Sequence, residues 1–342
     1  MDMLKKCLLI FVLCTAGLFS VFAQEKNIAI IGFYNLENLF DTIDDPRTND
    51  AQFLPDGEYQ WTTERYNIKQ NNMAYAISQI AKEYGGLVAL GVSEVENEGV
   101  LLDLVSRPAL QPFNYGVVHH DSPDRRGVDV ALLYQKDRFK VIYKRPYRLV
   151  TGDTAFRTRD QLLIQGVIDG TDTIHIIVNH WPSKIGGEKL SMPKRIAAAE
   201  LSKHITDSIM LSNPAAKIVL MGDLNDNPNA KSIVHSLQPK TKAKDVSVNQ
   251  LFNPMYKLYM EGIWSYVYRD EPNVIDQIII SYGLLNATQG FRYSGVRIFR
   301  ANFLLNKTGT YEGTPFRTLA GGTFLGGYSD HLPVYIILEK NN

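Results

Sequence analysis

Met221-Gly222-Asp223-Leu224-Asn225-Asp226, placed directly after the apolar run Lys217-Ile218-Val219-Leu220, is the stretch around which the other motifs of the chain fall into order. An apolar run of that length bounded by glycine predicts a buried strand, so Asp223 and Asn225 leave the sheet at its end. Residues two apart on an extended segment point the same way, which sets one carboxylate and one carboxamide on a common face. An Asx-type turn closing the strand is the competing reading. What favours chemistry is recurrence: the same arrangement, an apolar run ending in a short polar knot, returns several times along the chain.

Upstream, Gln161 to Ile168, the Asp169-Gly170 turn and Thr173 to Val178 give a hairpin signal. Its second strand delivers Asn179-His180-Trp181-Pro182-Ser183-Lys184, and a helix over Pro193 to Ile209 leads back to Lys217. His175 stands alone on the hairpin and reads as structural. Nearer the start, Asn27 to Phe33 forms a strand that runs into Tyr34-Asn35-Leu36-Glu37-Asn38-Leu39-Phe40-Asp41, where Asn35 and Glu37 repeat the two-residue spacing. Asp44 to Glu58 reads as loop, and Thr62 or Thr63 caps a helix whose Met73, Ile77, Ile80 and Tyr84 form its buried stripe before Gly85-Gly86. Leu87 to Val92 is a second buried strand ending in Ser93-Glu94-Val95-Glu96-Asn97, for which a solvated charged face is the alternative. A short helix over Val100 to Val105 follows. Strands at Tyr115 to Val118 and Val128 to Tyr134 flank a polar loop containing Arg126, which reads either as a phosphate contact or as a solvated charge.

Downstream, Thr241 to Glu271 is irregular enough to suggest a functional loop. Asn273 to Ile280 is a strand with one acid, Asp276, among apolar residues. A buried carboxylate is costly without a partner, so Asp276 needs a hydrogen-bonding or charged neighbour. Asp330 and His331, in Ser329-Asp330-His331-Leu332-Pro333 ahead of a last strand at Val334 to Leu338, are the natural candidates.

Composition narrows the class. The 342 residues are 45% hydrophobic and 21% charged, as in ordinary globular proteins, and carry no repeat or low-complexity tract. Lys5-Lys6, the apolar run Cys7 to Phe22 and the small Ala23 have the three parts of a secretory signal peptide. The expected organisation is a signal peptide over residues 1–23 and one domain over 24–342, with the protein secreted or periplasmic and no stable membrane insertion. Both cysteines, Cys7 and Cys14, fall in the leader, so the remainder has neither a disulfide nor a thiol nucleophile. From totals of 36 basic and 36 acidic residues, removing Lys5, Lys6 and Asp2 leaves 34 against 35. Near-neutrality argues against an extended basic clamp, though not against a nuclease whose local positive charge is a metal ion. No obligate protein partner is evident.

The strand ends together supply Asn35, Glu37, Glu94, His180, Asp223, Asn225, Asp276, Asp330 and His331. Oxygen-rich ligands suit a hard cation such as Mg2+, Mn2+ or Ca2+, and a carboxylate paired with histidine suits proton transfer near neutral pH. Phosphoryl chemistry asks for these parts. In their order, six blocks resemble the endonuclease/exonuclease/phosphatase superfamily: those around Asn35 and Glu37, around Glu94, Asn179-His180-Trp181-Pro182-Ser183, Gly222-Asp223-Leu224-Asn225-Asp226, Ile275-Asp276-Gln277-Ile278 and Ser329-Asp330-His331-Leu332-Pro333. Within it the chain is most similar to secreted bacterial members.

The resemblance implies an α/β fold of the deoxyribonuclease I type: two mixed sheets packed face to face with helices outside, a four-layer sandwich with the site at one edge. It implies that Asn35 and Glu94 hold the metal, with Glu37 nearby and Asp330 a further ligand. Asp223 would activate or orient water, Asn225 would donate to the phosphate, His331 would be held by Asp276, and His180 would be the second histidine of the deoxyribonuclease-like branch. Ser93 departs from the Gln that many members have before the metal glutamate. The leading expectation is a secreted, divalent-metal-dependent phosphodiesterase acting on DNA or RNA, with Arg126 and Lys184 as substrate contacts. A phosphohydrolase of a lipid head group or small phosphoester is the second reading, and a catalytically silent binding module the third. A site groove carrying Arg126, Arg157, Arg159 or Lys184 would favour a nucleic-acid strand.

Overall fold

The computed structural model describes residues 27–153 and 155–341; the expected leader at Met1 to Ala23 lies outside them. In chain order the strands are β1 (Ile28–Leu39), β2 (Ala89–Val95), β3 (Tyr115–His119), β4 (Asp129–Gln135), β5 (Phe139–Tyr147), β6 (Gln161–Ile168), β7 (Asp172–His180) and β8 (Lys217–Asp223). There follow β9 (Leu251–Phe252), β10 (Tyr266–Tyr268), β11 (Glu271–Asn273), β12 (Asp276–Ser281), β13 (Gly290–Ile298), β14 (Leu319–Ala320), β15 (Thr323–Phe324) and β16 (Val334–Asn341). One sheet runs β13-β16-β1-β2-β4-β3 and the other β5-β6-β7-β8-β12-β9, with two small ribbons, β10-β11 and β14-β15, beside them. Both large sheets are mixed, and each has one parallel pair at its centre, β1 with β2 and β7 with β8.

Alternation along the central strands builds the layers. On β1, Ile31 and Phe33 face the other sheet while Ile30 and Tyr34 face the helices α1 (Thr63–Gln79) and α2 (Glu98–Ser106). On β8, Val219 and Met221 join the core between the sheets, whereas Ile218 and Leu220 pack under helix α3 (Glu188–Ser212). A strand buried on both faces must be apolar at every position, which is why these runs lack the polar alternation of a surface strand. The result is the expected helix–sheet–sheet–helix sandwich.

Helix starts follow their caps. Thr62 accepts from the Arg65 N–H at the start of α1, and Asn97 does the same for Val100 at the start of α2. Helix α3 differs from expectation: it begins at Glu188, with Pro193 inside it rather than opening it. The missing N–H of Pro193 forfeits only the bond to the Lys189 carbonyl, near the helix start. Two edge strands, β5 and β13, gave no strand signal. Each carries a bulge, between Val141 and Tyr143 and between Tyr293 and Gly295, that breaks the period of two, and β5 leaves Ile142 and Tyr143 exposed. The expected long loop at Thr241 to Glu271 is broken up by β9, a one-and-a-half-turn helix α4 (Met255–Met260) and β10.

Gly222 fixes how closely β7 and β8 approach beside the polar knot. A Cβ built there lies 2.2 Å from the Asn179 carbonyl oxygen, and a backbone atom cannot move aside as a flexible side chain does. Gly222→Ala should therefore destabilise by roughly 3 kcal/mol, the upper part of the range for overpacking, read as a drop in the urea midpoint at unchanged m-value.

Candidate active site

Register places the polar knots on one rim of the sandwich. Asn35 on β1 lies opposite Ser93 on β2, next to Glu94. His180 at the end of β7 pairs with Asp223 at the end of β8, and Asp223 pairs in turn with Asp276 at the start of antiparallel β12. His331 precedes β16 and bridges to Tyr266 on β10. The sheets meet where Asn35 Nδ2 donates to Asp223 Oδ2 at 3.1 Å. Ser329 ties the last knot to the first by donating to the Asn35 carbonyl while accepting from the His331 N–H.

Asp223 is the hub. Its Oδ2 lies 3.6 Å from His180 Nε2 and 3.8 Å from His331 Nε2. On the far side of its ring, His331 Nδ1 donates to Asp276 at 2.8 Å and 3.0 Å, and Ser265 Oγ donates to the same carboxylate at 2.7 Å. Tyr266 stacks on His331 with centroids 4.5 Å apart, closing the remaining face. Burial raises Asp223 to about 7, with the His331 charge opposing and Asp276 and Glu94 adding to the rise. At His331 burial works against the charge, but Asp276, Asp330 and Asp223 outweigh it and hold the proton well above the ordinary imidazole range. His180 is the reverse: burial first, then Arg159 and Arg126, keep it neutral. A carboxylate that ionises near neutrality between a neutral and a charged imidazole can take a proton from water while the charged ring faces an anion.

Glu94 enters from β2 in a left-handed conformation, φ +59°, with Oε2 accepting the Asn38 N–H and Oε1 3.8 Å from His180 Nε2. The expected ligand Glu37 is placed differently. Its carboxylate accepts the backbone N–H groups of Thr318 and Leu319 at 2.6 Å and 3.3 Å and Arg317 Nε at 3.3 Å, so its acceptor sites are turned away from Asn35. The two-residue rule fails here because Glu37 has φ +48°, not an extended backbone. Burial raises Glu37 to about 7 and lowers the fully buried Lys69 to about 8; the Lys69 ammonium donates to Thr318 Oγ1 and the Tyr328 carbonyl. Arg317 also donates to Asp330 Oδ2 at 2.7 Å, leaving Oδ1 3.8 Å from His331 Nε2.

Asn225 likewise departs from the common-face expectation. At φ +52° its N–H donates to Asp223 Oδ1, which is the Asx turn, and its Nδ2 donates to the Trp181 carbonyl. Arg159 is no groove residue: it is buried, bonding Asp124 and the carbonyls of His180 and Trp181. Arg126 lies close enough to bear on His180 and is 3.8 Å from Asp124, while Lys184 is 3.4 Å from Asp226 and 3.7 Å from Glu188. Arg157 is exposed. Sequence reading missed Lys69, Ser265, Tyr266 and Arg317; of these only Lys69, a cation on the buried side of a helix, left a signal in the periodicity.

The chain matches the family model described as the endonuclease/exonuclease/phosphatase family over residues 30–340, and it belongs to that family. Among solved structures it is similar to D. rerio TDP2 complexed with single strand DNA product, at 12% identity and TM-score 0.55, over 92% of this chain and 99% of that one. The mannosyl-6-phosphatase Bt3783 of Bacteroides thetaiotaomicron matches at 16% identity and TM-score 0.53, over 91% and 99%. An endonuclease/exonuclease/phosphatase family protein of the same organism matches at 16% identity and TM-score 0.54, over 92% and 98%. A comparison with curated proteins finds no match. These likenesses show the fold, with its two mixed six-stranded sheets.

The family is generally dependent on a divalent metal, and the donors present fit one. Glu94, Asn35 and Asp330 carry hard oxygen donors of the kind such an ion takes, Asn35 Oδ1 also accepting the Glu37 N–H, and no cysteine competes with them among the described residues. Asp223, Asp276 and His331 also bring ligand-type atoms within 4.8 Å of one another, but the Asp276 oxygens are engaged by His331 and Ser265. The hydrogen bonds of that trio join a carboxylate to an imidazole, the arrangement that suits proton transfer. Asp276→Asn removes the largest influence holding the His331 proton, so the imidazole pKa should fall, measured by NMR titration, and turnover should drop by about 10²-fold. In the native protein activity should climb as pH rises through about 7, where Asp223 loses its proton.

Proposed function

We propose that the protein is a divalent-metal-dependent phosphodiesterase that hydrolyses DNA or RNA by attack of water on phosphorus. The observation that carries this reading is Asp223 held between His180 and His331, with His331 anchored by Asp276. In this scheme Asp223 takes the proton of the attacking water, and the His331 imidazolium donates to a phosphoryl oxygen on which charge develops. Neutral His180 supplies a further donor, and Asn225, beside it on the Trp181 carbonyl, orients the phosphate. Glu94, Asn35 and Asp330 hold the ion, Mg2+ or Mn2+ with Ca2+ as a third candidate, which supplies Lewis-acid charge stabilisation when bound. Arg126, next to His180, is a strand contact in this proposal, and Lys184 a weaker one because Asp226 and Glu188 already pair with it. The apolar run behind Lys5-Lys6 supports export, so the extracellular or periplasmic space is where such a substrate would be met.

The second reading, a phosphohydrolase of a small phosphoester, has one observation in its favour. The cations flanking the rim are each engaged with a carboxylate, Arg126 with Asp124 and Lys184 with Asp226, so they offer a strand less net charge than their number suggests. Of the three neighbours named above, one is complexed with single strand DNA product and another is a mannosyl-6-phosphatase, which supports either reading.

One measurement tests the mechanism common to both readings and a second separates them. Glu94→Ala should take activity below detection with an unchanged thermal midpoint, and chelation should do the same reversibly, with full activity in excess chelator ruling the mechanism out. On a panel of DNA, RNA, sphingomyelin and sugar or inositol phosphates, hydrolysis of nucleic acid with a shallow salt dependence is expected, since few phosphates are neutralised. Turnover confined to small phosphoesters would transfer the assignment to the second reading.

A further inference from the structure

Arg317 stands out because it joins two carboxylates with one guanidinium. Nε donates to Glu37 at 3.3 Å and Nη2 to Asp330 at 2.7 Å, so the planar fork fixes the distance between them. Glu37 is itself immobile, only 2% exposed and held by the Thr318 and Leu319 N–H groups, with Lys69 fastened to the Thr318 hydroxyl behind it. Arg317 is therefore anchored at its inner end to a rigid wall and presents its outer end to Asp330. By taking Oδ2, it leaves Oδ1 as the oxygen of Asp330 that faces the His331 side of the rim.

We propose that Arg317 is a positioning residue for the metal centre: it pins Asp330 so that a single oxygen is offered to the divalent ion, and Glu37 serves as the anchor of that pin instead of as a ligand. The inference rests on the reading of Glu94, Asn35 and Asp330 as ligands and goes beyond it. Two opposing effects meet at Arg317. Its charge repels a cation, which alone would make its removal tighten binding. Its fork removes the freedom of Asp330, which alone would make removal weaken binding. Because Asp330 already pairs with the guanidinium at 2.7 Å, the second effect dominates.

The test is Mn2+ binding to the full chain, followed by calorimetry and by the electron paramagnetic resonance of free Mn2+, with no substrate present. Arg317→Gln should raise the Mn2+ Kd by about 10- to 100-fold, the usual scale for losing the partner that orients a ligand. Arg317→Lys, which keeps the charge but not the two-point fork, should fail to restore it. In a double-mutant cycle, Arg317→Gln should add little to Asp330→Asn, because it acts through that residue. Unchanged or tighter binding in Arg317→Gln, full rescue by lysine, or additive losses in the cycle would overturn the proposal. A higher KM with unaltered Mn2+ affinity would overturn it too, in favour of direct substrate contact. Absence of Mn2+ binding by the native protein would remove the metal reading and this one together, whereas native binding insensitive to Arg317 would remove this one alone.

Discussion

The hydrogen bond from Asn35 Nδ2 to Asp223 Oδ2, 3.1 Å long, crosses from one sheet to the other at the point where their shared apolar core ends. Everything in the candidate site follows from that location. Two sheets stacked about 10 Å apart leave no room for water between them, so polar side chains at the rim must find partners in the opposite sheet or in the loops above it. Asn35, Asp223 and Asp276 are all buried, and each has found one. The burial that demands partners also raises Asp223 to about 7, where a carboxylate becomes useful as a base.

Cations complete the frame, Lys69 and Arg159 buried and Arg317 part-exposed. Lys69 and Arg317 stand against Glu37 and Asp330 on one side, and Arg159 stands against Asp124 on the other while binding the carbonyls of His180 and Trp181. Such pairs add little net stability, because desolvation offsets most of the attraction. What they contribute is position: removing one partner leaves a buried charge uncompensated, so the remaining groups have few alternative arrangements. Trp181 is held in the same manner from its ring, where Nε1 donates to Asn179, whose carboxamide is fixed by Ser202 and the Met221 carbonyl.

Three residues at the rim sit on backbone that L-residues seldom adopt, Glu37 at φ +48°, Glu94 at φ +59° and Asn225 at φ +52°. Each such residue costs of order 1 kcal/mol or more and persists only where its surroundings over-determine it. Here the surroundings are visible: the Thr318 N–H for Glu37, the Asn38 N–H for Glu94, and the Asp223 carboxylate with the Trp181 carbonyl for Asn225. The kinks aim side chains out of the pleat, which is why neighbours two apart in sequence ended up facing different partners.

From the sequence by itself the buried strands and the polar residues at their ends were legible, and the resemblance carried by those blocks implied the sandwich. Apolar runs at β1, β2, β7 and β8 are long enough and unbroken enough to demand burial on both faces, and each ends in the residues that meet at Asp223. The need of Asp276 for a partner was legible too, since a lone carboxylate in an apolar strand has no other way to be tolerated. Tertiary structure alone decided where Glu37 and Asn225 point, because a single left-handed residue cancels the period of two and leaves no mark in composition. It alone brought Arg317, 280 residues away in sequence, onto Glu37. It alone showed β5 and β13 as strands, because edge positions with a bulge and one wet face carry no hydrophobic period to read. Periodicity reports which face is buried, and it says nothing of contacts made between loops that only closure of the sandwich brings together.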